Sequence, residues 1–191
     1  SRVNSINCNS GICSGITLSN GQTYNSNMVI SGLDPTHTCI KLVGATEISH
    51  TFQRQLKNIK YRGSTARIHF AMKKSPKIID VPHDQHNAIF AINPSMEYLE
   101  QAYDDAKYGR ISEKPYIEFV IPSLRNTNYA PSGKHVLSAT VQFTPYNLRN
   151  TNWNNDLKQQ VVQNVTDILE KYISNFATII EDFTIMTPRD I

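Results

Sequence analysis

The sequence predicts an α+β fold: a mixed, largely antiparallel sheet with about three helices packed on it. Three observations predict this class. Segments of alternating polarity outnumber segments of helical spacing, turn signals join neighbouring strands, and no regular βαβ repeat orders the elements. The chain has 191 residues, of which 39% are hydrophobic and 18% charged. It can therefore bury a sizeable core, and we expect one domain over residues 1–191.

The N-terminal residues 2–31 are predicted to form a β-meander. Val3 opens the first strand, and Ser10-Gly11 supplies a turn. Asn20-Gly21 is the strongest hairpin signal in the chain. The second and third strands are expected at residues 12–18 and 28–30. Gly32 then permits unusual dihedral angles before Pro35, so a defined turn follows.

Three helices are expected, at residues 49–60, 95–108 and 152–173. Ser49 and Ser95 are the predicted N-caps of the first two, and Gly109 ends the second. Residues 61–64 break the first helix. The second should turn Tyr98, Leu99, Ala102, Tyr103 and Ala106 inward. The third carries an apolar stripe of Trp153, Leu157, Val161, Val165, Ile168, Leu169 and Tyr172.

Five further strands are expected between and after these helices. The clearest covers residues 66–72, where Ala66, Ile68, Phe70 and Met72 alternate with Arg67, His69 and Ala71. The others are predicted at residues 88–92, 116–121, 135–143 and 178–186.

Charge and hydropathy exclude several function classes. The formal net charge is +3, without the basic stripe typical of nucleic-acid binders, so no nucleic-acid partner is expected. No apolar run reaches the roughly 20 residues of a membrane span, which leaves only peripheral membrane contact open. Three cysteines without CxxC spacing favour reduced thiols and a cytoplasmic location, although Cys8 and Cys13 could pair across a hairpin.

Few residues suggest chemistry by themselves. The stretch His83-Asp84-Gln85-His86 resembles a metal site but lacks a third ligand, so a polar loop is preferred and no metal is expected. His69 faces the polar side of its strand and has no partner that would make it a base. The tyrosines at 98, 103, 108, 116, 129 and 146 could line an apolar cavity or an interface, or simply pack in the core. Catalytic residues remain unassigned.

Several segments, taken together, resemble the phytoene dehydrogenase-related flavoproteins. The most specific is residues 94–109, similar to the branch of the pyridine nucleotide-disulfide oxidoreductase domain 2 proteins. The others are residues 20–24, 28–35, 61–67, 121–123, 131–135 and 142–146. The likeness covers almost the whole chain.

The resemblance implies a two-domain, amine-oxidase-like FAD oxidoreductase, of which this chain would be the substrate-side part. Residues 1–35 would border the missing FAD-binding domain, and residues 36–191 would form the substrate-side domain. Val3 and Gly32 would lie near FAD in the intact protein, and Tyr98 and Tyr103 near a small apolar or amine substrate. No GxGxxG motif is present, so this chain alone is expected to hold no FAD and to be inactive. The alternative is a protein- or membrane-surface interaction module with little redox activity.

Overall fold

A three-stranded antiparallel meander opens the chain, as the turn residues predict. Its strands are β1 (Val3–Asn9), β2 (Ile12–Leu18) and β3 (Thr23–Asn25), in that spatial order. Ser10 and Gly11 both have positive φ, at 51° and 78°, which is the conformation of a two-residue type I′ hairpin turn. The computed structural model that shows this describes residues 1–61 and 63–191.

The predicted third strand was wrong in position. The chain reverses direction at Asn20-Gly21, and Thr23–Asn25 then pairs antiparallel with residues 15–17 of β2. Residues 28–30 therefore have no strand partner, and their apolar side chains are largely exposed. Gly32 is not among the residues with positive φ, so its turn does not use glycine's extra freedom.

A helical stretch that the sequence did not predict follows the meander. It consists of a π-helix, His37–Gly44, and a 3₁₀ turn, Ala45–Glu47. Its wider i→i+5 spacing does not match the 3.6-residue period used to find helices. The next helix, α1 (His50–Asn58), was predicted, and the Ser49 hydroxyl accepts the hydrogen bond from the Phe52 N–H as its N-cap.

The chain divides into two compact units, Ser1–Tyr61 and Arg62–Ile191. Residues 1–35, which we expected to border a flavin-binding domain, lie within the first unit, and that role stays a prediction. The predicted helix break at residues 61–64 includes Arg62, which lies outside the described residues.

The second unit contains a five-stranded antiparallel sheet in the order β5-β6-β7-β4-β8. The strands are β4 (Thr65–Met72), β5 (Phe90–Ile92), β6 (Ile117–Val120), β7 (His135–Gln142) and β8 (Ile180–Met186). The α+β class with a largely antiparallel sheet is confirmed. Strand β4 lies between β7 and β8, and its alternate residues Ala66, Ile68, Phe70 and Met72 are fully buried, as predicted.

The described part of this unit also has three α-helices, α2 (Met96–Lys107), α3 (Asn155–Leu169) and α4 (Phe176–Ile179), and three 3₁₀ turns, His83–Gln85, Pro122–Leu124 and Thr127–Tyr129. Ser95 caps α2, as predicted, by accepting from the Tyr98 N–H. Helix α3 is shorter than predicted because the Asn154 side chain caps it at 2.8 Å from the Leu157 N, and turns replace the helix after Leu169. Its buried face joins the core of the sheet through Val161, Val162, Val165, Ile168 and Leu169.

Asp190 holds the turn that follows β8. Its Oδ2 accepts from the Thr187 N–H at 2.9 Å, the Thr187 hydroxyl at 2.8 Å and the Lys158 ammonium at 3.0 Å. These bonds lower the pKa of Asp190 to about 2, and the bond from the Thr187 N–H has the largest effect. Because the folded pKa lies below the unfolded value of about 3.9, the stabilisation is complete above pH 4 and is lost as pH falls toward 2.

We therefore expect Asp190→Asn to lower the free energy of unfolding at neutral pH and to match the parent near pH 2. The loss at neutral pH should be about 1 kcal/mol or less, because the side chain is 42% exposed and solvent screens its charge. Urea unfolding at both pH values measures the difference. Lys158→Met, which spares the Thr187 bonds, should cost less. An equal loss at both pH values would show that the charge is irrelevant.

Candidate functional site

A groove of about 380 Å³ lies between the loop after α2 and one side of α3. We call it the α2–α3 groove. Its volume lies within the range of small-molecule sites, about 300 to 1,000 Å³. Its walls are residues 109–113, residues 148–151, and Leu157, Gln160, Val161 and Asn164 of α3.

The end of α2 shapes this groove. Gly109 has a φ of 73° and terminates the helix in the left-handed conformation. Its carbonyl accepts from the Arg149 N–H at 3.0 Å, and a Cβ at position 109 would lie 3.0 Å from the Arg149 nitrogen. On the opposite wall, the Asn164 side-chain amide donates to the Glu113 carbonyl at 3.1 Å. The walls are thus joined by one bond between backbone groups and one from a side chain to the backbone, and a bulkier residue at 109 would disturb the first.

The groove combines an apolar floor with a charged rim. Ile111, Leu148, Leu157 and Val161 supply the apolar surface. Arg110 forms an ion pair with Asp105 at 3.0 Å, and their side chains are 56% and 33% exposed. Because solvent screens such a pair, it contributes only about 0 to 1 kcal/mol. Such a groove suits a ligand with an apolar body and a polar end.

The two predicted substrate tyrosines lie elsewhere on α2. Tyr98 is half-buried, and its hydroxyl donates to the Pro115 carbonyl at 2.9 Å. Burial raises the pKa of Tyr98. Tyr103, expected to point inward, is 53% exposed, because Ala102 occupies the centre of the buried face. Neither lines the α2–α3 groove, and their contact with substrate stays a prediction.

The predicted cofactor residues both lie in the first unit. Val3 begins β1 opposite Leu18 and is half-buried. Gly32 is exposed, and a Cβ built there would meet nothing within 4 Å. Their contact with FAD stays a prediction.

The turn after Gly32 is organised by Asp34, which the sequence did not single out. Its Oδ1 accepts from the His37 N–H at 2.8 Å and from the Tyr61 hydroxyl at 3.2 Å. The His37 N–H is the main cause that lowers the pKa of Asp34. The Asp-Pro dipeptide gave a signal for a turn, but no local pattern indicates the contact with Tyr61, 27 residues away.

The histidine stretch lies in the connection between β4 and β5, where His83–Gln85 forms a single 3₁₀ turn. His86 is buried, with its Nε2 3.0 Å from the Val81 carbonyl oxygen. Over residues 1–61 and 63–191, no group of three or more His, Cys, Asp or Glu side chains could hold a metal ion. His69 is half-buried on β4, opposite Ser138 and Thr184.

A serine–histidine pair that the sequence did not reveal lies at the start of β7. The Ser123 Oγ is 3.1 Å from the His135 Nδ1 and accepts from the Val136 N–H at 3.1 Å. Both residues border a recess of about 310 Å³. Burial lowers the pKa of His135, which favours the neutral imidazole that can accept a hydroxyl proton. Twelve residues separate the two side chains, so only the fold brings them together.

None of the helices in residues 1–61 and 63–191 has the length and apolar character needed to cross a bilayer.

Comparison with known proteins adds three findings to this geometry. No protein-family model matches the chain. The chain is 30% identical over 190 residues to the mouse protein named pyridine nucleotide-disulfide oxidoreductase domain-containing protein 2, and 29% identical to the rat protein of that name. These alignments cover 95% of this chain but 33% of each relative. The chain thus spans about a third of the length of the curated relatives that it matches.

Two solved structures share the fold. A Pyrococcus furiosus protein aligns with a TM-score of 0.54 at 15% identity, and an oxidoreductase from Methanosarcina mazei with 0.52 at 13% identity. Each alignment covers 97% of this chain and 36% of the solved chain. At these identities the likeness concerns the fold alone.

Proposed function

We propose that this chain is the substrate-side part of a longer FAD-dependent oxidoreductase of the phytoene dehydrogenase-related type. An apolar or amine-type substrate would pass a hydride to the flavin, and FAD would supply that chemistry. The observation that carries the proposal is the 30% identity to the mouse protein along 95% of the chain. Since that match spans 33% of the relative, the dinucleotide-binding part would lie in the remaining length.

The first unit has an exposed apolar surface against which a flavin-binding domain could pack. Met28, Ile30 and Leu33 are 73%, 91% and 55% exposed; we call them the 28–33 patch. Isolated exposed apolar residues are common, but several along one short segment favour an interaction site. Gly32 lies within the segment that carries the patch, and Gly32 and Val3 would touch FAD. Since the chain has no glycine-rich pyrophosphate loop, these residues would contribute only an edge of the flavin site.

The second unit would receive the substrate. The α2–α3 groove has an apolar floor and exposed charged side chains at Arg110, Glu113 and Arg149. An acidic group at the rim can orient an amine, and the floor can hold an apolar body. Positioning and water exclusion are the contributions that the protein makes to hydride transfer by a cofactor.

A second function is favoured by the tyrosines of α2. Tyr103 and Tyr108 are about half exposed, and the charged ends of Lys107 and Arg110 lie 5.7 and 5.6 Å from the Tyr108 ring centre. Aromatic rings flanked by cations are common at protein and membrane surfaces. This arrangement supports the alternative of a surface interaction module with little redox activity.

The location that we propose is the cytoplasm. All three cysteines are free, which suits a reducing compartment.

The test compares this 191-residue chain with the longer polypeptide that the proposal requires. We expect the chain alone to be colourless and the longer polypeptide to show flavin absorbance. Within the longer polypeptide, Ile30→Asp should lower the bound flavin severalfold, because a charge would be buried against the flavin-binding part. Ile89→Asp, at a residue 68% exposed in the second unit, is the matched control and should leave flavin content unchanged.

Two results would contradict the proposal. A longer polypeptide that stays colourless after incubation with FAD would favour the interaction module. A yellow sample of the 191-residue chain would show that the flavin site lies within it.

A further inference from the structure

Two cysteines face each other across the first hairpin. The turn Ser10-Gly11 connects β1 and β2. Asn9 and Ile12 form the cross-strand pair beside this turn, and Cys8 and Cys13 form the next pair. In a two-residue hairpin the couple beside the turn exchanges backbone hydrogen bonds, so the next couple does not.

That register brings the two thiols within bonding reach. Directly opposed residues project from the same face of a sheet. In non-hydrogen-bonded couples the Cα atoms lie about 4.5 Å apart, inside the range of about 4.4 to 6.8 Å that a disulfide requires. The register is regular from the turn through Cys8 and Cys13 and shifts only between Asn7 and Cys8, so the two free thiols lie at a spacing that a disulfide can bridge.

The surroundings of Cys8 favour its protonated form, and both thiols remain accessible. Both are half-buried, and the Cys13 thiol donates a weak hydrogen bond to the Ser26 carbonyl at 3.9 Å. Burial, then the neighbouring Cys13, then the Glu47 carboxylate raise the pKa of Cys8. Glu47 is held at the turn by the Gly11 N–H, 3.1 Å from its Oε2. Since the thiolate is the reactive form, oxidation should be slow at neutral pH and faster as pH rises.

We propose that Cys8 and Cys13 are a redox modification site that forms a reversible cross-strand disulfide on exposure to a hydroperoxide. One thiolate attacks the peroxide oxygen and becomes a sulfenic acid, while the O–O bond breaks and water or an alcohol leaves. The second thiol then attacks that sulfur, the S–S bond forms and a water molecule leaves. Two thiols are oxidised and one hydroperoxide is reduced. A small thiol such as glutathione reverses the bond by exchange.

The inference is independent of the proposed flavin chemistry, because it concerns only the hairpin of the first unit. Closing the loop between residues 8 and 13 restrains the unfolded chain. The oxidised first unit should therefore unfold at a higher temperature than the reduced one. A disulfide in a reducing compartment would be transient, as redox-sensing disulfides are.

The test is a hydrogen peroxide titration of the 191-residue chain and its Cys39→Ser variant. For Cys39→Ser we expect both remaining thiols to be lost together and the intact mass to fall by two hydrogen atoms, with full reversal by glutathione. In the parent chain, peptide mapping without reductant should recover Cys8 linked to Cys13. Cys8→Ser and Cys13→Ser are the matched controls, and each should gain oxygen and form no internal link.

Other products would overturn the inference. They are oxygen addition to Cys39→Ser without a cross-link, a parent disulfide that includes Cys39, or covalent dimers alone. Peptide mapping of the parent chain needs no substitution, so the result does not depend on how well a variant folds. Repeating the titration at higher pH should accelerate the reaction, and a rate that stays constant would contradict the role assigned to the thiolate.

Discussion

Phe70→Ala is expected to lower the free energy of unfolding of the second unit by about 3 to 5 kcal/mol, the usual cost of removing a large buried side chain. Phe70 is 0% exposed. It lies on the interior strand β4, opposite Leu137 of β7 and Phe183 of β8. Its ring meets that of Phe176 edge-on, with centroids 5.2 Å apart. Truncation would therefore leave a cavity between the sheet and α4 and remove a favourable aromatic pair.

Urea unfolding monitored by circular dichroism measures this loss. Tyr129→Ala removes a ring of similar size that is 62% exposed, and we expect it to cost less than about 1 kcal/mol. Phe70→Leu should fall between the two variants, because it restores part of the volume. Equal effects of Phe70→Ala and Tyr129→Ala would show that β4 is not the centre of the core.

Gly15→Ala is expected to disrupt the first unit, with a loss on the order of 3 kcal/mol from strain and displaced strands. Gly15 lies in β2 between Asn7 of β1 and Asn25 of β3, with a φ of 140°. A Cβ there would overlap the Tyr24 carbonyl oxygen and lie 2.9 Å from the Asn25 Cα. Because both obstacles are backbone atoms, β3 would have to move away from β2.

Amide hydrogen exchange of β3 and thermal unfolding of the variant test this expectation. The exchange of residues 23–25 should become much faster, since their partners on β2 would be displaced. Gly32→Ala is the matched control in the same unit. Its Cβ would meet nothing within 4 Å, and Gly32 does not have positive φ. Unchanged exchange of β3 in Gly15→Ala would mean that the meander accommodates a side chain at this position.

The most accurate sequence predictions concerned elements that are marked by a pattern among neighbouring residues. The alternation at residues 66–72 identified β4 and its buried face, and Ser49 and Ser95 marked the starts of α1 and α2. A strand or a cap imposes its own spacing on neighbouring residues, so it is visible without knowledge of the fold. The third strand was misplaced because residues 28–30 have strand-like composition but no partner to pair with.

The sites depended on contacts that no local pattern records. Tyr103 follows helical spacing from Leu99 and was expected inward, yet it is exposed because the buried face of α2 centres on Ala102. The α2–α3 groove combines residues 109–113, 148–151 and 157–164. Because these three segments are far apart in the sequence, the spacing of residues within any one of them does not predict that they form one groove.

Short-range periodicity and residue identity were enough to predict the α+β class and most of the strands and helices, and to show that a glycine-rich dinucleotide motif is absent. The pairs of polar groups that form hydrogen bonds became known only from the three-dimensional fold: Ser123 with His135, Asp34 with Tyr61, and Asp190 with Lys158. It also placed Cys8 directly opposite Cys13, where the sequence left pairing open. Such meetings depend on register and packing, which are properties of the whole unit and not of any one segment.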